Sequence, residues 1–205
     1  MFYYREQLQE VQRVIIRGIL PVSLIDYPDE VSTVLFTGGC NWRCTYCHNK
    51  HLWATTPALD INEVLTTLVK RRKLVTHIVI SGGEPTIHPT LEEFIRKLKE
   101  LNFFVKLDTN GSNPHILQKL IEQKLLDYIE MDVKGPIEKY PTITNADVNI
   151  ADILRSIRVI ASSNIPHRFR TVYLPEFTTH DIEATKKLIP PSSSHIINEY
   201  KSYTA

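Results

Sequence analysis

Short apolar runs that suit β-strands alternate along this chain with segments in which apolar residues recur at helical spacing. The strand-like runs are rich in β-branched residues and end in glycine or polar residues; they lie at residues 31–37, 76–80, 103–107, 128–133, 169–173 and 195–198. The helix-like segments lie between them, at residues 60–72, 89–101, 114–123, 150–161 and 182–188. This alternation predicts a parallel sheet wound by right-handed crossovers.

The number of these units indicates the fold class. Six units in series predict an α/β fold, namely a partial, open (β/α)6 TIM-like barrel of parallel strands. A closed eight-unit barrel has about 250 residues, whereas this chain has 205. A hydrophobic content of 42% suffices for one core, so we expect a single barrel domain over residues 31–205. Residues 1–30 are expected to form an N-terminal extension packed on the barrel, with a short hairpin around Pro21.

Composition narrows the classes of partner. The net charge of +1 gives no basic surface of the kind that binds nucleic acid, so no nucleic-acid partner is expected. Charged residues such as Arg17, Asp26 and Asp29 interrupt the apolar stretches, so no membrane association is expected. The first residues lack the basic and apolar regions of a secretory signal. Together these features favour a cytoplasmic protein.

The only three cysteines of the chain are Cys40, Cys44 and Cys47. An odd number in so tight a cluster argues against a disulfide framework and favours thiolates that bind metal. Three thiolates can hold an iron–sulfur cluster and leave one iron without a protein ligand. The alternative is a zinc site with His48 as the fourth ligand. Zinc ligands usually come as two separated pairs, however, and this sequence has no second pair.

Glycine-rich or charged segments follow four successive predicted strands. They are residues 38–47, 81–85, 108–111 and 130–135. Each segment alone is consistent with an ordinary turn or a surface ion pair. Because the carboxyl ends of parallel strands meet at one rim, their shared position predicts that they form a single site.

These motifs resemble those of a known superfamily. The C-x3-C-x2-C pattern with Tyr46 before its last cysteine, followed by Gly82-Gly83-Glu84-Pro85, resembles the radical S-adenosylmethionine superfamily. Within it, Tyr46-Cys47-His48-Asn49, Asp108-Thr109-Asn110-Gly111 and the pair Asp132 and Lys134 resemble the glycyl-radical enzyme activases. Residues 23–28 and 36–41 are similar to activating proteins of anaerobic ribonucleoside-triphosphate reductase. The resemblance covers about residues 17–175.

The resemblance implies cofactors and the residues that bind them. The three cysteines would hold a [4Fe-4S] cluster whose fourth iron is chelated by S-adenosylmethionine. The residues implied to bind the cofactors are Tyr46, Cys47, His48, Gly82, Gly83, Glu84, Asp108, Asn110, Asp132, Lys134 and Arg170. A monovalent cation is implied at Asp108, Thr109, Glu130 and Asp132. Related activases carry a cofactor-contacting histidine near the C-terminus, where this chain has Asn198-Glu199-Tyr200.

The resemblance also implies a reaction. An electron from a donor such as flavodoxin or ferredoxin would reduce the cluster and cleave S-adenosylmethionine to methionine and a 5'-deoxyadenosyl radical. That radical would abstract hydrogen from a glycine of a partner glycyl-radical enzyme, anaerobic ribonucleotide reductase being the expected partner. The alternative within enzymes is action on a small molecule, as in 7-carboxy-7-deazaguanine synthases. A non-catalytic metal-binding module is the alternative from another class.

Overall fold

Seven β-strands form one open sheet in the computed structural model, which describes residues 14–201. They are β1 (Ile16–Tyr27), β2 (Glu30–Thr37), β3 (His77–Gly82), β4 (Phe104–Thr109), β5 (Tyr128–Asp132), β6 (His167–Tyr173) and β7 (Ser194–Glu199). The strands lie side by side in chain order, with β1 antiparallel to β2 and every later neighbouring pair parallel. The predicted fold class is therefore confirmed.

Helices connect the parallel strands. The α-helices of residues 14–201 are α1 (Ile61–Arg71), α2 (Leu91–Glu100), α3 (Pro114–Glu122), α4 (Tyr140–Thr144), α5 (Ile150–Ala161) and α6 (Thr179–Lys186). Short 3-10 helices lie at Lys50–Trp53, Pro85–Ile87 and Ile137–Lys139. Asp60 begins α1 because its side chain accepts hydrogen bonds from the first free backbone N–H groups of that helix. The α2 helix buries one apolar face against the sheet, as its pattern predicts.

The predicted hairpin around Pro21 is wrong. The chain passes through Pro21 as part of β1 and turns instead at Pro28 and Asp29, where Asp29 has a φ of 61°. Proline is tolerated here because β1 is an edge strand, where a missing N–H breaks no ladder on the free side. The pairing of β1 with β2 also shifts register between Leu20 and Ser23.

Two further predictions differ from the structure near the C-terminal half. The last helix begins at Thr179 rather than at residue 182, since the side chain of Thr178 and the carboxylate of Asp181 form a reciprocal cap. The α4 helix was not predicted, because five residues that include Pro141 are too short to show a helical period.

The two faces of the curved sheet differ in chemistry. Side chains that point outward, such as Ile80, Leu107 and Met131, are fully buried in the main core with the helices. Inward-pointing side chains near the carboxyl ends of β4, β5 and β6 are mostly charged; they are Lys106, Asp108, Glu130, Asp132, Arg168 and Arg170. Alternation along each strand separates these two sets.

An aromatic cluster closes the amino-terminal end of the barrel. Tyr27, at the end of β1, is 8% exposed and packs with the buried Val34 and Val79. Its ring centre lies 4.6 Å from that of His77 and 5.9 Å from that of Tyr128. The N-terminal hairpin, which is formed by β1 and β2, therefore contributes the Tyr27 side chain to the barrel interior.

Replacing Tyr27 tests this contribution. Tyr27→Ala is expected to lower the free energy of unfolding by about 3 kcal/mol, because it empties a buried aromatic site. Tyr27→Phe keeps the ring and should cost less than about 1.5 kcal/mol. Urea denaturation followed by circular dichroism measures both. If Tyr27→Ala were as stable as wild type, the hairpin would not be part of the core.

Candidate functional site

A cavity of about 740 Å³ opens at the carboxyl ends of the strands. Ligand-binding cavities usually measure about 300–1,000 Å³. Nearly all the residues predicted for the site line it: Cys40, Cys44, Tyr46, Cys47, His48, Gly82, Gly83, Glu84, Asp108, Thr109, Asn110, Asp132, Lys134 and Arg170. The fold thus brings together residues that lie up to 130 positions apart in sequence. Glu130 is the exception; it lies below the cavity and does not line it.

The loop between β2 and α1 carries the three cysteines. The Arg43 and Thr45 N–H groups donate hydrogen bonds to the carbonyls of Thr144 and Ile143, which fasten the loop to α4. The Arg43 guanidinium also donates to the Cys40 carbonyl at 2.6 Å. These hydrogen bonds connect the cysteine loop to α4 and help to fix its path.

The cysteine thiols suit a cluster with several irons. Burial raises the pKa of Cys40 to about 11, and burial also raises the pKa of Cys44. Both are thus protonated at neutral pH without metal, and metal binding has to displace their protons. Within residues 14–201, no three His, Cys, Asp or Glu side chains converge on a point where one metal ion would bind. The three thiols line one cavity, and three thiolates can hold an iron–sulfur cluster that keeps one iron without a protein ligand.

The glycines after β3 let two loops touch through their backbones. The Gly83 N–H donates to the Thr37 carbonyl at 2.9 Å, and the Glu84 N–H donates to the Gly39 carbonyl at 2.9 Å. A Cβ atom on Gly83 would lie 1.8 Å from the Gly39 oxygen, which no side chain permits. Gly82 has a φ of +108°, a conformation that favours glycine. This backbone seam, formed by residues 37–39 and 82–84, places the cysteine loop against the β3 loop.

The Glu84 carboxylate joins the same loops to the one after β4. It is fully buried, and its Oε1 accepts hydrogen bonds from the Thr86 N–H, the Thr86 hydroxyl and the Thr109 hydroxyl at 2.6–3.1 Å. Its Oε2 accepts from the Asn110 N–H at 2.6 Å. Burial raises the pKa of Glu84, and these hydrogen bonds partly offset that effect. The contact with the methionine amino group that the resemblance implies stays a prediction; in the structure Glu84 braces two loops.

Charged side chains form the opposite wall. Asp132 accepts from the Lys134 ammonium at 2.8 Å and from the Arg170 Nε at 2.6 Å. Burial alone would raise the pKa of Asp132, but the two neighbouring cations outweigh it and hold that pKa well below its usual range. The Lys134 ammonium lies 5.5 Å from the ring centre of Tyr46, over its face. Cations and a carboxylate in this wall suit a zwitterionic ligand with separate ammonium and carboxylate groups.

The residues expected to hold a monovalent cation already have partners. Glu130 accepts from Arg168 and Arg170 and lies 3.3 Å from the Lys106 ammonium. Asp108 pairs with the same ammonium at 2.8 Å, while the Thr109 hydroxyl donates to Glu84. The oxygen atoms of Glu130, Asp108 and Thr109 therefore interact with neighbouring side chains rather than with a free ion.

Some cavity residues had no role assigned from sequence. Ser81 lies in the predicted segment 81–85, and its hydroxyl donates to the Asp108 Oδ2 at 3.0 Å. Asn198 and Glu199, which stand where related activases carry a cofactor-contacting histidine, line the cavity. Trp53 also lines it, and no motif marks this residue because it follows the cysteine loop in a short 3-10 helix.

Comparison with known proteins assigns the family. The model of the Radical SAM superfamily matches residues 34–189. That match spans most of the chain and includes the cysteine loop and the segments after β3, β4 and β5. The chain therefore belongs to the radical SAM superfamily, as its motifs predicted, and the superfamily implies a [4Fe-4S] cluster and S-adenosylmethionine as cofactors.

Individual relatives indicate which kinds of radical SAM enzyme this chain is similar to. The chain is 33% identical over 196 residues to a protein of Methanocaldococcus jannaschii provisionally named a glycyl-radical enzyme activating enzyme, covering 92% of this chain and 81% of that protein. It is 30% identical over 158 residues to the pyruvate formate-lyase-activating enzyme of Staphylococcus aureus, covering 71% of this chain and 62% of the relative. It is also 30% identical over 129 residues to the 7-carboxy-7-deazaguanine synthase of Neisseria meningitidis, covering 62% and 53%.

Solved structures share the fold. The structure of anSMEcpe with bound AdoMet superimposes with a TM-score of 0.61 at 22% identity, covering 80% of this chain and 49% of that one. Such a likeness shows the partial barrel alone.

Separately, none of the helices in the described part of this chain is long and apolar enough to cross a membrane.

Substitution at Gly83 tests the backbone seam. Gly83→Ala is expected to lower the free energy of unfolding by about 1–3 kcal/mol and to reduce the iron bound after anaerobic reconstitution, because the new methyl group must push the cysteine loop away. Gly18→Ala is the matched control, since its Cβ would meet only Phe36 at an ordinary 3.6 Å. Denaturation and iron analysis measure the two effects. Equal iron binding by both variants would contradict the role of the seam.

Substitution at Glu84 separates bracing from ligand binding. Glu84→Gln replaces one acceptor with an N–H donor that faces another donor, so the free energy of unfolding should fall by about 1–3 kcal/mol even without cofactors. Glu93→Gln, at an exposed position of α2, should change it by less than about 0.5 kcal/mol. Denaturation of the cofactor-free proteins measures both. An unchanged stability for Glu84→Gln would contradict the brace.

Proposed function

We propose that this protein activates a glycyl-radical enzyme by removing a hydrogen atom from a glycine of that partner, and that the partner is an anaerobic ribonucleoside-triphosphate reductase. The observation that supports this most is the convergence of Cys40, Cys44 and Cys47 with the β3 and β5 segments around one cavity. The 33% identity to a relative provisionally named as such an activating enzyme, over 92% of the chain, supports the type of reaction.

The residues present fit the two cofactors. Cys40, Cys44 and Cys47 would hold the cluster, and the wall formed by Asp132, Lys134 and Arg170 would meet the charged methionine end of S-adenosylmethionine. A cluster held by these cysteines would supply the electron for reductive cleavage of the sulfonium bond of S-adenosylmethionine. The protein supplies position and electrostatics.

Side chains of the cysteine loop connect it to the rest of the cavity wall. Tyr46, a residue of that loop, packs its ring against the Lys134 ammonium of the charged wall. Burial raises the pKa of Tyr46 to about 12, so it stays neutral at working pH. Asn110 donates from its side chain to Asn41, which holds the β4 loop against the cysteine loop. These contacts fix the cavity edge where the reacting groups would meet.

The open edge of the cavity suits a protein substrate. The sheet does not close between β1 and β7 in the described residues, so the site stays accessible at the rim. A loop of the partner that carries the glycine could enter there and exclude water from the reacting groups. The electron would come from a donor such as flavodoxin or ferredoxin. Thiols that must remain free for the cluster favour the reducing cytoplasm as the compartment.

The monovalent cation that the resemblance implies stays a prediction. Asp108, Glu130 and Asp132 each have at least one side-chain cation within 3.3 Å. These three carboxylates are thus already paired with side-chain cations.

A second candidate is a small-molecule reaction. It is favoured by the 30% identity to a 7-carboxy-7-deazaguanine synthase, although the match spans 62% of this chain against 92% for the activase relative. Both reactions would use the same cluster and the same S-adenosylmethionine. They differ in what loses the hydrogen atom.

The proposal is tested with anaerobically reconstituted protein, S-adenosylmethionine, a reductant and candidate partner enzymes. Addition of the cognate partner should increase 5'-deoxyadenosine release, measured by chromatography, and should produce an organic radical signal in electron paramagnetic resonance. The radical should be absent when the glycine of the partner loop is replaced by alanine. In a parallel assay the partner enzyme is replaced by the small-molecule substrate of 7-carboxy-7-deazaguanine synthases. Formation of 7-carboxy-7-deazaguanine there, with no radical on any partner, would favour the second candidate.

Cysteine replacement provides the variant for this test. Cys47→Ala should lower both bound iron and 5'-deoxyadenosine release by at least about 100-fold, because it removes one of three cluster ligands. Lys50→Ala, at an exposed position beside the same loop, should keep both. Full activity of Cys47→Ala would contradict a cluster held by these three thiols.

A further inference from the structure

Lys106 is a lysine whose ammonium is buried beneath the cofactor cavity. Its side chain is 1% exposed and points inward from β4, two residues before Asp108. Lysine is almost never fully buried unless it is paired. The reaction as described makes no use of this residue, so its burial requires another explanation.

Three oxygen atoms surround the Lys106 ammonium. The Asp108 Oδ1 lies at 2.8 Å, the Glu130 Oε2 at 3.3 Å and the backbone carbonyl oxygen of Asp26 at 2.6 Å. The ring of Tyr128 lies beneath it, with its centre 6.0 Å away. Hard oxygen ligands of this kind, two of them carboxylates, also suit a small monovalent cation.

The N-terminal hairpin supplies one of these oxygens. The Ser23 hydroxyl accepts hydrogen bonds from the Ile25 and Asp26 N–H groups and donates to the Asp26 carboxylate at 2.5 Å. This local turn fixes the end of β1 and aims the Asp26 carbonyl at Lys106. The polar residues Ser23 and Asp26 of this segment therefore have a structural role, although the proposed reaction does not otherwise involve them.

The lysine acts on the cavity through Asp108. That carboxylate lines the cavity; its Oδ1 forms an ion pair with the Lys106 ammonium without hydrogen-bond geometry, and its Oδ2 accepts a hydrogen bond from the Ser81 hydroxyl. Glu130 would keep its two arginine partners, Arg168 and Arg170, if the ammonium were removed. Asp108 would instead lose the cation that lies beside its Oδ1, and its buried charge would then be poorly compensated.

We propose that the Lys106 ammonium is a built-in cation, which occupies the place that a free monovalent ion would take and positions Asp108 in the cavity wall. Lys106 is a positioning residue, since it does not line the cavity. Two consequences follow: the wild-type protein needs no potassium or sodium ion, and removal of the ammonium group should create a site for one. This inference depends on the proposed function in one respect only, namely that Asp108 contacts the cofactor.

The experiment measures the melting temperature of cluster-free protein in potassium, ammonium or choline chloride at equal ionic strength. Lys106→Met removes the ammonium and keeps most of the stem, so in choline chloride it should melt roughly 10 °C below wild type. Potassium or ammonium should restore much of that loss, because either ion fits the space left and choline does not. Lys99→Met is the matched control; it removes the 2.5 Å ion pair of Lys99 with Asp127 on the outside of the barrel and should lose only about 2 °C, with the same result in all three salts.

Measurements on the wild-type protein provide a second test, which does not require the Lys106→Met variant to fold. Its melting temperature, and its rate of 5'-deoxyadenosine formation once reconstituted, should be the same in potassium and choline chloride. A rise of either quantity in potassium would overturn the proposal. The proposal would also be overturned if the melting temperature of Lys106→Met fell no further than that of Lys99→Met. The same holds if Lys106→Met lost as much in potassium chloride as in choline chloride. Because melting is measured without cluster, a failed radical reaction would not affect these results.

Discussion

The whole site depends on the backbone seam between the cysteine loop and the loop after β3. Two hydrogen bonds, from the Gly83 N–H to Thr37 and from the Glu84 N–H to Gly39, hold the loops at a distance that only glycine allows. The Glu84 carboxylate then extends the connection to the loop after β4 through the Thr109 hydroxyl and the Asn110 N–H. These hydrogen bonds thus join three strand ends, and the cysteine loop is attached to this framework.

Below this seam, charge pairing determines the shape of the barrel interior. Three carboxylates, on Asp108, Glu130 and Asp132, face four cations, on Lys106, Lys134, Arg168 and Arg170. Breaking one buried partner leaves an uncompensated charge, which is costly. The network therefore fixes rotamers at the cavity wall, and Tyr27 packs with Val34 and Val79 at the opposite end of the barrel interior. A site for a charged nucleotide follows from this preorganisation.

Much of this arrangement could be predicted from the order of residues, because parallel strands place their carboxyl ends together whatever the details of packing. The cysteine spacing and the segments after β3, β4 and β5 therefore identified the cavity. The direction of a side chain could not be predicted in the same way. Glu84 follows two glycines in a motif implied to bind a ligand, yet its carboxylate points into protein donors. Lys106 gave no signal, since a lysine in a strand usually faces solvent. Pro21 suggested a turn, but an edge strand tolerates it.

The central claim is that three thiols hold a four-iron cluster whose remaining iron binds S-adenosylmethionine. Electron paramagnetic resonance of anaerobically reconstituted, reduced protein, recorded with and without S-adenosylmethionine, tests it most directly. The account predicts the signal of a reduced [4Fe-4S] cluster that changes shape when S-adenosylmethionine is added. A protein that binds only a single metal ion, or a cluster signal that is the same with and without S-adenosylmethionine, would contradict it.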